Sequence, residues 1–201
     1  MTAAVYEAGY SAPSRFYADA GQRLGMTPSV WRKGGAGTTI RWATVQTSLG
    51  EMLVAATGKG ICRLSFDEGE RDLRARFPNA RIQDGGEAMQ ALIEGAVSAV
   101  ERPAEMPNLP LDVQGTAFQE AVWQELSRIP PGQTASYAAL AARVGSAKAV
   151  RAVGSACGAN PVAVLIPCHR AKRTDGSLGG YAYGLGRKET LLDRERDGDQ
   201  K

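Results

Sequence analysis

The sequence predicts an α/β domain followed by an all-α domain built on a helix-turn-helix. Three observations predict it. Residues 39–66 hold three runs of β-branched or alternating apolar residues with glycine turns between them. Residues 87–100 repeat apolar side chains at helical spacing. Beyond Pro103, Pro107 and Pro110 the strand character stops and capped helical patterns take over.

Residues 1–35 read as short helices with a glycine break, in which Ser11 caps a helix whose first turn holds Pro13. Gly34-Gly35-Ala36-Gly37 is a flexible joint. Strands are then expected at Thr39–Thr47, Met52–Ala56 and Ile61–Phe66, turning at Ser48-Leu49-Gly50 and Gly58-Lys59-Gly60. A helix from Asp72 to Phe77 is stopped by Pro78. From Glu87 to Val100, the residues Met89, Leu92, Ile93, Ala96, Val97 and Val100 share one helical face. No constellation of polar groups marks this half, so it reads as scaffold.

From Leu111 the pattern is helical. Thr116 and Gln119 form a capping box. Phe118, Val122 and Leu126 make one buried stripe, flanked by Trp123, and Pro130-Pro131-Gly132 ends the helix. Ser136 caps the next helix, with Tyr137, Leu140 and Ala141 on one face. Gly145 breaks the pattern and Ala147–Ala159 resumes it, which is the helix-turn-helix outline. This last helix carries Ala147, Ala149, Ala152, Gly154, Ser155, Ala156, Gly158 and Ala159, and Arg151 is its only long polar side chain well inside. Small side chains allow close approach, either to the protein's own core or to a narrow nucleic-acid groove. Composition leaves both open. The expected divisions are 1–35, 36–110 and 111–201.

With 201 residues, 43% of them hydrophobic, the chain can bury a real core. Three cysteines, an odd number without framework spacing, point to a reduced protein. No apolar leader or spanning run is present, so a soluble, cytoplasmic protein is expected, with no membrane partner. Cys62, Cys157, Cys168 and a single histidine do not supply four close ligands, so no metal or other cofactor is expected. The net charge of +3 decides little, but its distribution is uneven. Between Ser136 and Lys188, Arg143, Lys148, Arg151, Arg170, Lys172, Arg173, Arg187 and Lys188 face only Asp175. Such a block suits a polyanion; a solvated cationic surface is the alternative.

The most informative residues are Pro167-Cys168-His169-Arg170. His169 is the only histidine in the chain, and it adjoins a cysteine. A nucleophilic thiol needs a nearby base and positive surroundings, because the thiolate is the reactive form. The alternative is a buried packing cysteine closing the apolar run Val162–Ile166.

The ordered motifs Gly115-Thr116-Ala117-Phe118-Gln119, Ser136-Tyr137, Arg151-Ala152-Val153-Gly154, Asn160-Pro161, Ile166-Pro167-Cys168-His169-Arg170, Gly176-x-Leu178-x-Gly180-Tyr181 and Leu191-Leu192-x-x-Glu195 resemble those of the O6-alkylguanine-DNA alkyltransferases. The resemblance runs from about Thr39 to Glu195. It implies an RNase H-like N-terminal domain and a winged-helix-like C-terminal one. It implies that an alkyl group, usually methyl, moves irreversibly from O6-alkylguanine (or O4-methylthymine) in double-stranded DNA to Cys168. His169 would be the base through a bridging water, oriented by Glu195, and Asn160 would steady the turn. Arg151 would fill the stack left by a flipped nucleotide, with Tyr137, Ser136 and Arg170 also on the DNA. Tyr137, Tyr181 and Ala182 would line the pocket; Ala182 stands where some members carry serine. Approach through the minor groove and action as a monomer are implied as well. Neighbours on an extended segment point to opposite faces, which fits a water-bridged Cys168 and His169.

Separately, Gly9-Tyr10-Ser11-Ala12-Pro13-Ser14-Arg15-Phe16 and Gly25-Met26-Thr27-Pro28 resemble the second helix-turn-helix of AraC-type DNA-binding regions, without the first. They read as a remnant. The competing functions are a non-catalytic lesion binder, a transcription regulator and a cysteine hydrolase. Cys168, the truncated operator reader and the lack of a second histidine weigh against them in turn.

Overall fold

A computed structural model describes residues 33–198; the short helices read in residues 1–32 lie outside the described residues. The first unit is a four-stranded sheet of β1 (Thr39–Thr47), β2 (Gly50–Ala56), β3 (Ile61–Phe66) and β4 (Arg81–Asp84), in the order β3-β2-β1-β4. The first three pair antiparallel, with Thr44 opposite Leu53 and Leu53 opposite Ser65, and β4 lies parallel to β1. The three expected strands are present. β4 was not foreseen: Arg-Ile-Gln-Asp has one apolar residue and pairs through its backbone.

Helix α1 (Glu70–Arg76) starts two residues before the expected Asp72, whose carboxylate accepts the Gly69 N–H at 3.0 Å and so sits inside the first turn. Helix α2 (Gln90–Glu101) follows a short 3-10 turn at Glu87–Met89. One sheet face buries Ile40, Leu53, Ala55 and Cys62 against Leu73 and Phe77 of the α1 region. The other buries Met52, Val54, Leu64 and Phe66 in a core that runs without a break into the helical unit. β2 from Met52 and all of β3 are buried because both faces are covered.

Two chain segments seal the open edge of β3. Ile61 N–H donates to Pro110 O at 2.8 Å, and Leu64 N–H donates to Pro161 O at 3.0 Å. Gly60 is required at the first crossing, since a Cβ there would lie 2.4 Å from Pro110 O. The second crossing anchors residues 161–163, and after three further residues the Pro-Cys-His-Arg run begins.

The helical unit contains α3 (Ala117–Ser127), α4 (Tyr137–Arg143), α5 (Val150–Gly158) and α6 (Leu185–Gly198). Both hydrogen bonds of the Thr116–Gln119 capping box are made. Val122, Trp123 and Leu126 are buried and Phe118 is only partly so, which moves Trp123 from the flank into the stripe. The Trp123 indole N–H donates to Ala156 O at 2.9 Å and ties α3 to α5. α5 begins three residues later than the expected Ala147, because Ser146–Ala149 close a separate turn. The unit is helical but not all-α: β5 (Ala135–Ser136) and β6 (Ala171–Lys172) pair in parallel. Two-residue strands carry no periodicity to read. Among the described residues, no helix is long and apolar enough to cross a membrane.

Candidate active site

The site forms where the chain leaves α5. Asn160 follows the last residue of that helix by two, and residues 161–163 cross to β3. Val164 then adopts φ +67, a left-handed conformation that a β-branched residue rarely takes. Strain of this kind costs about 1–3 kcal/mol and persists only where its surroundings over-determine it. Here Ile166 N–H bonds back to Val162 O, and Val164 itself is buried. Pro167 leads into one turn of 3-10 helix, Cys168–Arg170.

Asn160 clamps this turn. It is 4% exposed, and its Oδ1 accepts Val162 N–H at 3.0 Å. Its Nδ2 donates to Ile166 O at 2.8 Å and to Cys168 Sγ at 3.3 Å. Cys168 is 6% exposed and opens on a pocket of about 450 Å³, whose walls include Tyr137, Arg151, Gly154, Cys157 and Tyr181. Burial pushes its thiol pKa up, while the Asn160 N–H and the Lys188 charge pull it down.

The extended geometry expected for this run is corrected by the 3-10 turn. Three residues per turn send successive side chains in three directions. Cys168 faces the pocket, while His169 and Arg170 enter the core. His169 is fully buried; its Nε2 lies 2.8 Å from Glu195 Oε1, and among the described residues its Nδ1 has no hydrogen-bond partner. Burial holds the imidazole below its ordinary pKa against the pull of Glu195, so it is neutral. Burial raises the Glu195 pKa, but hydrogen bonds from His169 and Arg170 outweigh that and hold it below the usual carboxylate range. An ionised Glu195 makes Nε2 the protonated nitrogen and leaves Nδ1 as an acceptor.

Arg170 was expected on the nucleic acid. It is instead 3% exposed, with Nε and Nη2 on Glu195 and Nη1 donating to Ile129 O at 2.5 Å. A buried carboxylate shared with histidine needs a cation, and Arg170 supplies it.

Tyr137 starts α4 and is half-buried; its hydroxyl donates to Gly180 O at 3.4 Å. Its ring lies against Gly179, at φ +67, where a Cβ would come within 2.8 Å. Tyr181 presents a buried hydroxyl with no hydrogen-bond partner among the described residues, and Ala182 is exposed at the pocket mouth. Ser136 spends its Oγ on the Ala139 N–H as the α4 cap. Arg151 is exposed at the pocket rim.

The two readings of the small-residue helix now separate. Val153, Ala156 and Cys157 face the core, but a Cβ at Gly154 or Gly158 would meet nothing within 4 Å. The open face is therefore not packed against the protein. Cys157 also borders the pocket, and Cys62 lies in the β3 core, its thiol pushed up to about 12 chiefly by burial.

The basic block divides. Arg143, Lys148, Arg151 and Arg173 are exposed. Arg187 grips the Asp67 carboxylate and Leu49 O and lies 5.0 Å over the Phe66 ring. Lys188 is fully buried, which the sequence reading missed. The signal was available: Lys188, Leu191, Leu192 and Glu195 follow the i, i+3, i+4, i+7 spacing of a buried face.

Known proteins resemble this chain in sequence and in fold. Residues 40–113 match the 6-O-methylguanine DNA methyltransferase ribonuclease-like domain, and residues 117–197 match the DNA binding domain of the same family. "Regulatory protein ada" of Salmonella typhimurium is 46% identical over 199 residues, covering 97% of this chain and 56% of that protein, so the chain spans little more than half its length. A methylated-DNA–protein-cysteine methyltransferase of Haemophilus influenzae is 35% identical across 79% of this chain and 88% of its own. A Mycobacterium tuberculosis OGT solved in complex with DNA superposes with a TM-score of 0.67 at 31% identity, over 79% of this chain and 94% of that one.

Proposed function

The chain belongs to the 6-O-methylguanine DNA methyltransferase family, and from that premise we propose that it repairs DNA by moving the alkyl group of O6-alkylguanine, usually methyl, onto its own Cys168. O4-methylthymine is a lesser substrate. The observation that carries this reading is the sole histidine: fully buried, held by Glu195 through Nε2, open at Nδ1, and one residue from a thiol in a pocket wall.

The damaged base is buried in stacked DNA, so the nucleotide must be extruded at a cost of a few kcal/mol. Arg151 enters the vacated stack, and the open Gly154–Gly158 face lies in the minor groove, where close approach is needed. Exposed cations beside them meet phosphates. The base enters between Tyr137, Tyr181 and Ala182, and the unpartnered Tyr181 hydroxyl is free to bond it. The Cys168 proton passes through a water to His169 Nδ1, and the sulfur attacks the alkyl carbon. The S–C bond forms as the C–O6 bond breaks, the purine leaves as its 6-oxo anion, and that anion takes a proton from water at N1. The product is a thioether, from which water has no good leaving group to displace, so each molecule reacts once.

In this reading residues 36–110 are the RNase H-like scaffold and residues 111–201 the winged-helix-like unit. The protein acts as a monomer in a reducing cytoplasm, and the segment at 1–35 resembles part of an AraC-type DNA-binding region. The test is peptide mapping after incubation with a duplex carrying O6-methylguanine. A methyl group on the Cys168 peptide is expected. Binding without any modification would favour the lesion-binder alternative and overturn the proposal.

A further inference from the structure

Among the described residues, none from the sheet unit lines the pocket. Its wall at Tyr181 is nevertheless held from that unit. Tyr181 packs edge-on against Tyr183 with ring centres 5.7 Å apart, and Tyr183 packs edge-on against Phe66 of β3 at 5.6 Å. Such edge-to-face pairs fix the tilt of a ring as well as its position.

Arg187 locks this row. It stands in the first turn of α6, where the helix dipole disfavours a cation. Acceptors outside the helix set its position instead. Nη1 and Nη2 donate to the Asp67 carboxylate at 2.5 and 2.8 Å, Nε donates to Leu49 O at 2.8 Å, and Nη1 also donates to Tyr183 O at 3.0 Å. The guanidinium lies 5.0 Å over the Phe66 ring, within reach of a cation–π contact. The β1–β2 turn, the end of β3 and the pocket loop, distant in sequence, thus meet on one side chain. Two backbone features are fitted to it. Asp67 takes φ +58, which Asp tolerates better than most residues. Gly50 takes φ +104, where a Cβ would lie 3.0 Å from Arg187 Nη2.

We propose that Arg187 is a positioning residue for alkyl transfer: it couples the sheet unit to the pocket loop and so fixes Tyr181 against the entering base. The proposal rests on the reading of Cys168 as acceptor. A second arginine of α6 supplies the control. Arg194 donates to Val100 O at 2.7 Å and to Ser48 Oγ at 2.6 Å. It too ties α6 to the sheet unit, but it makes no hydrogen bond to the pocket loop.

The experiment compares wild type, Arg187→Met, Asp67→Ala, their double variant and Arg194→Met, with folding checked by circular dichroism. Single-turnover methyl transfer from an O6-methylguanine duplex is measured beside duplex affinity. In Arg187→Met the rate at saturating duplex should fall roughly tenfold, the order expected when a wall of a reacting site shifts by less than about 1 Å, with affinity unchanged. Asp67→Ala should show a smaller fall and add nothing to Arg187→Met, since the two act through one contact. Arg194→Met should lose stability but keep its rate. Amide hydrogen exchange of the 178–184 loop, read by mass spectrometry, should quicken in Arg187→Met and not in Arg194→Met. A folded Arg187→Met with wild-type rate or wild-type loop exchange overturns the proposal, as does equal slowing in Arg194→Met. If Arg187→Met does not fold, Asp67→Ala decides by the same two readouts, because its carboxylate is largely exposed. Loop exchange needs no chemistry. Quickened exchange in chains that never take up methyl would sink only the acceptor reading, and transfer undisturbed by Arg187→Met only the role of Arg187.

Discussion

Around the sheet, residues 39–101 bury Ile40, Leu53, Leu64 and Phe66 with few polar companions, Arg63 and Ser65, whereas residues 112–195 bury Glu120, Asn160, His169, Arg170, Lys188 and Glu195. Buried polar groups are costly unless paired. The sheet unit meets that cost simply, with Arg63 on Glu68 at a partly open edge. The helical unit gathers three of these groups behind one 3-10 turn, where Glu195 takes hydrogen bonds from His169 and Arg170. A unit that serves as scaffold minimises buried charge. The unit with the site concentrates it, and the concentration marks the chemistry more sharply than the pocket does.

The thiols test this contrast most severely. Cys168→Ser should abolish alkyl acceptance while retaining duplex binding, as read by mass spectrometry and gel shift. Cys62→Ser should cost about 1–3 kcal/mol of stability and leave transfer intact, because Cys62 is fully buried in the sheet core. The carboxylates come next. Glu195→Gln strands Arg170 and should cost about 3–5 kcal/mol and slow transfer roughly 10²–10⁴-fold. Glu68→Gln should cost less, about 1–3 kcal/mol, with transfer unchanged, since Arg63 is buried but the Glu68 carboxylate is partly exposed. Denaturant unfolding and single-turnover kinetics separate the two.

A smaller effect appears with pH. The pKa of His169 is depressed in the folded chain, so between its folded value and the ordinary value near 6.5 the unfolded chain binds more protons. The stability tied to His169 is therefore fully present above that ordinary value and is lost as pH falls through the folded one. Glu195 contributes in the same direction but in the carboxylate range. With one histidine in the chain, the slope just below pH 6.5 reports this side chain, at up to about 1.4 kcal/mol per unit. His169→Gln should flatten it in denaturant titrations.

The smallest effects concern glycine. Gly154→Ala should add up to about 1 kcal/mol, because the new Cβ meets open space, and Gly154→Leu should weaken duplex binding without destabilising the fold. Gly60→Ala should destabilise, since its Cβ would strike Pro110 O.

Much of this was legible in the sequence because it rests on local chemistry. The three antiparallel strands follow from β-branched runs between glycine turns, and the α3 cap from Thr116 and Gln119. Asn160, Cys168, His169 and Glu195, separated by up to 35 positions, meet at one turn, and only the ordered motif announced that. Arg170 was misplaced because a basic residue beside a site suggests a ligand; its burial depends on Glu195 and Ile129, which are distant in sequence. β4 stayed hidden because a parallel edge strand is specified by its neighbour, and α5 began late because alanines at 147 and 149 suit a turn as readily as a helix.

The most direct measurement is intact mass analysis of the chain over time with an excess of O6-methylguanine duplex. The account predicts one methyl per molecule, on Cys168, and then no further consumption of lesion. A chain that stays unmodified, or that keeps clearing lesions after its first, contradicts it.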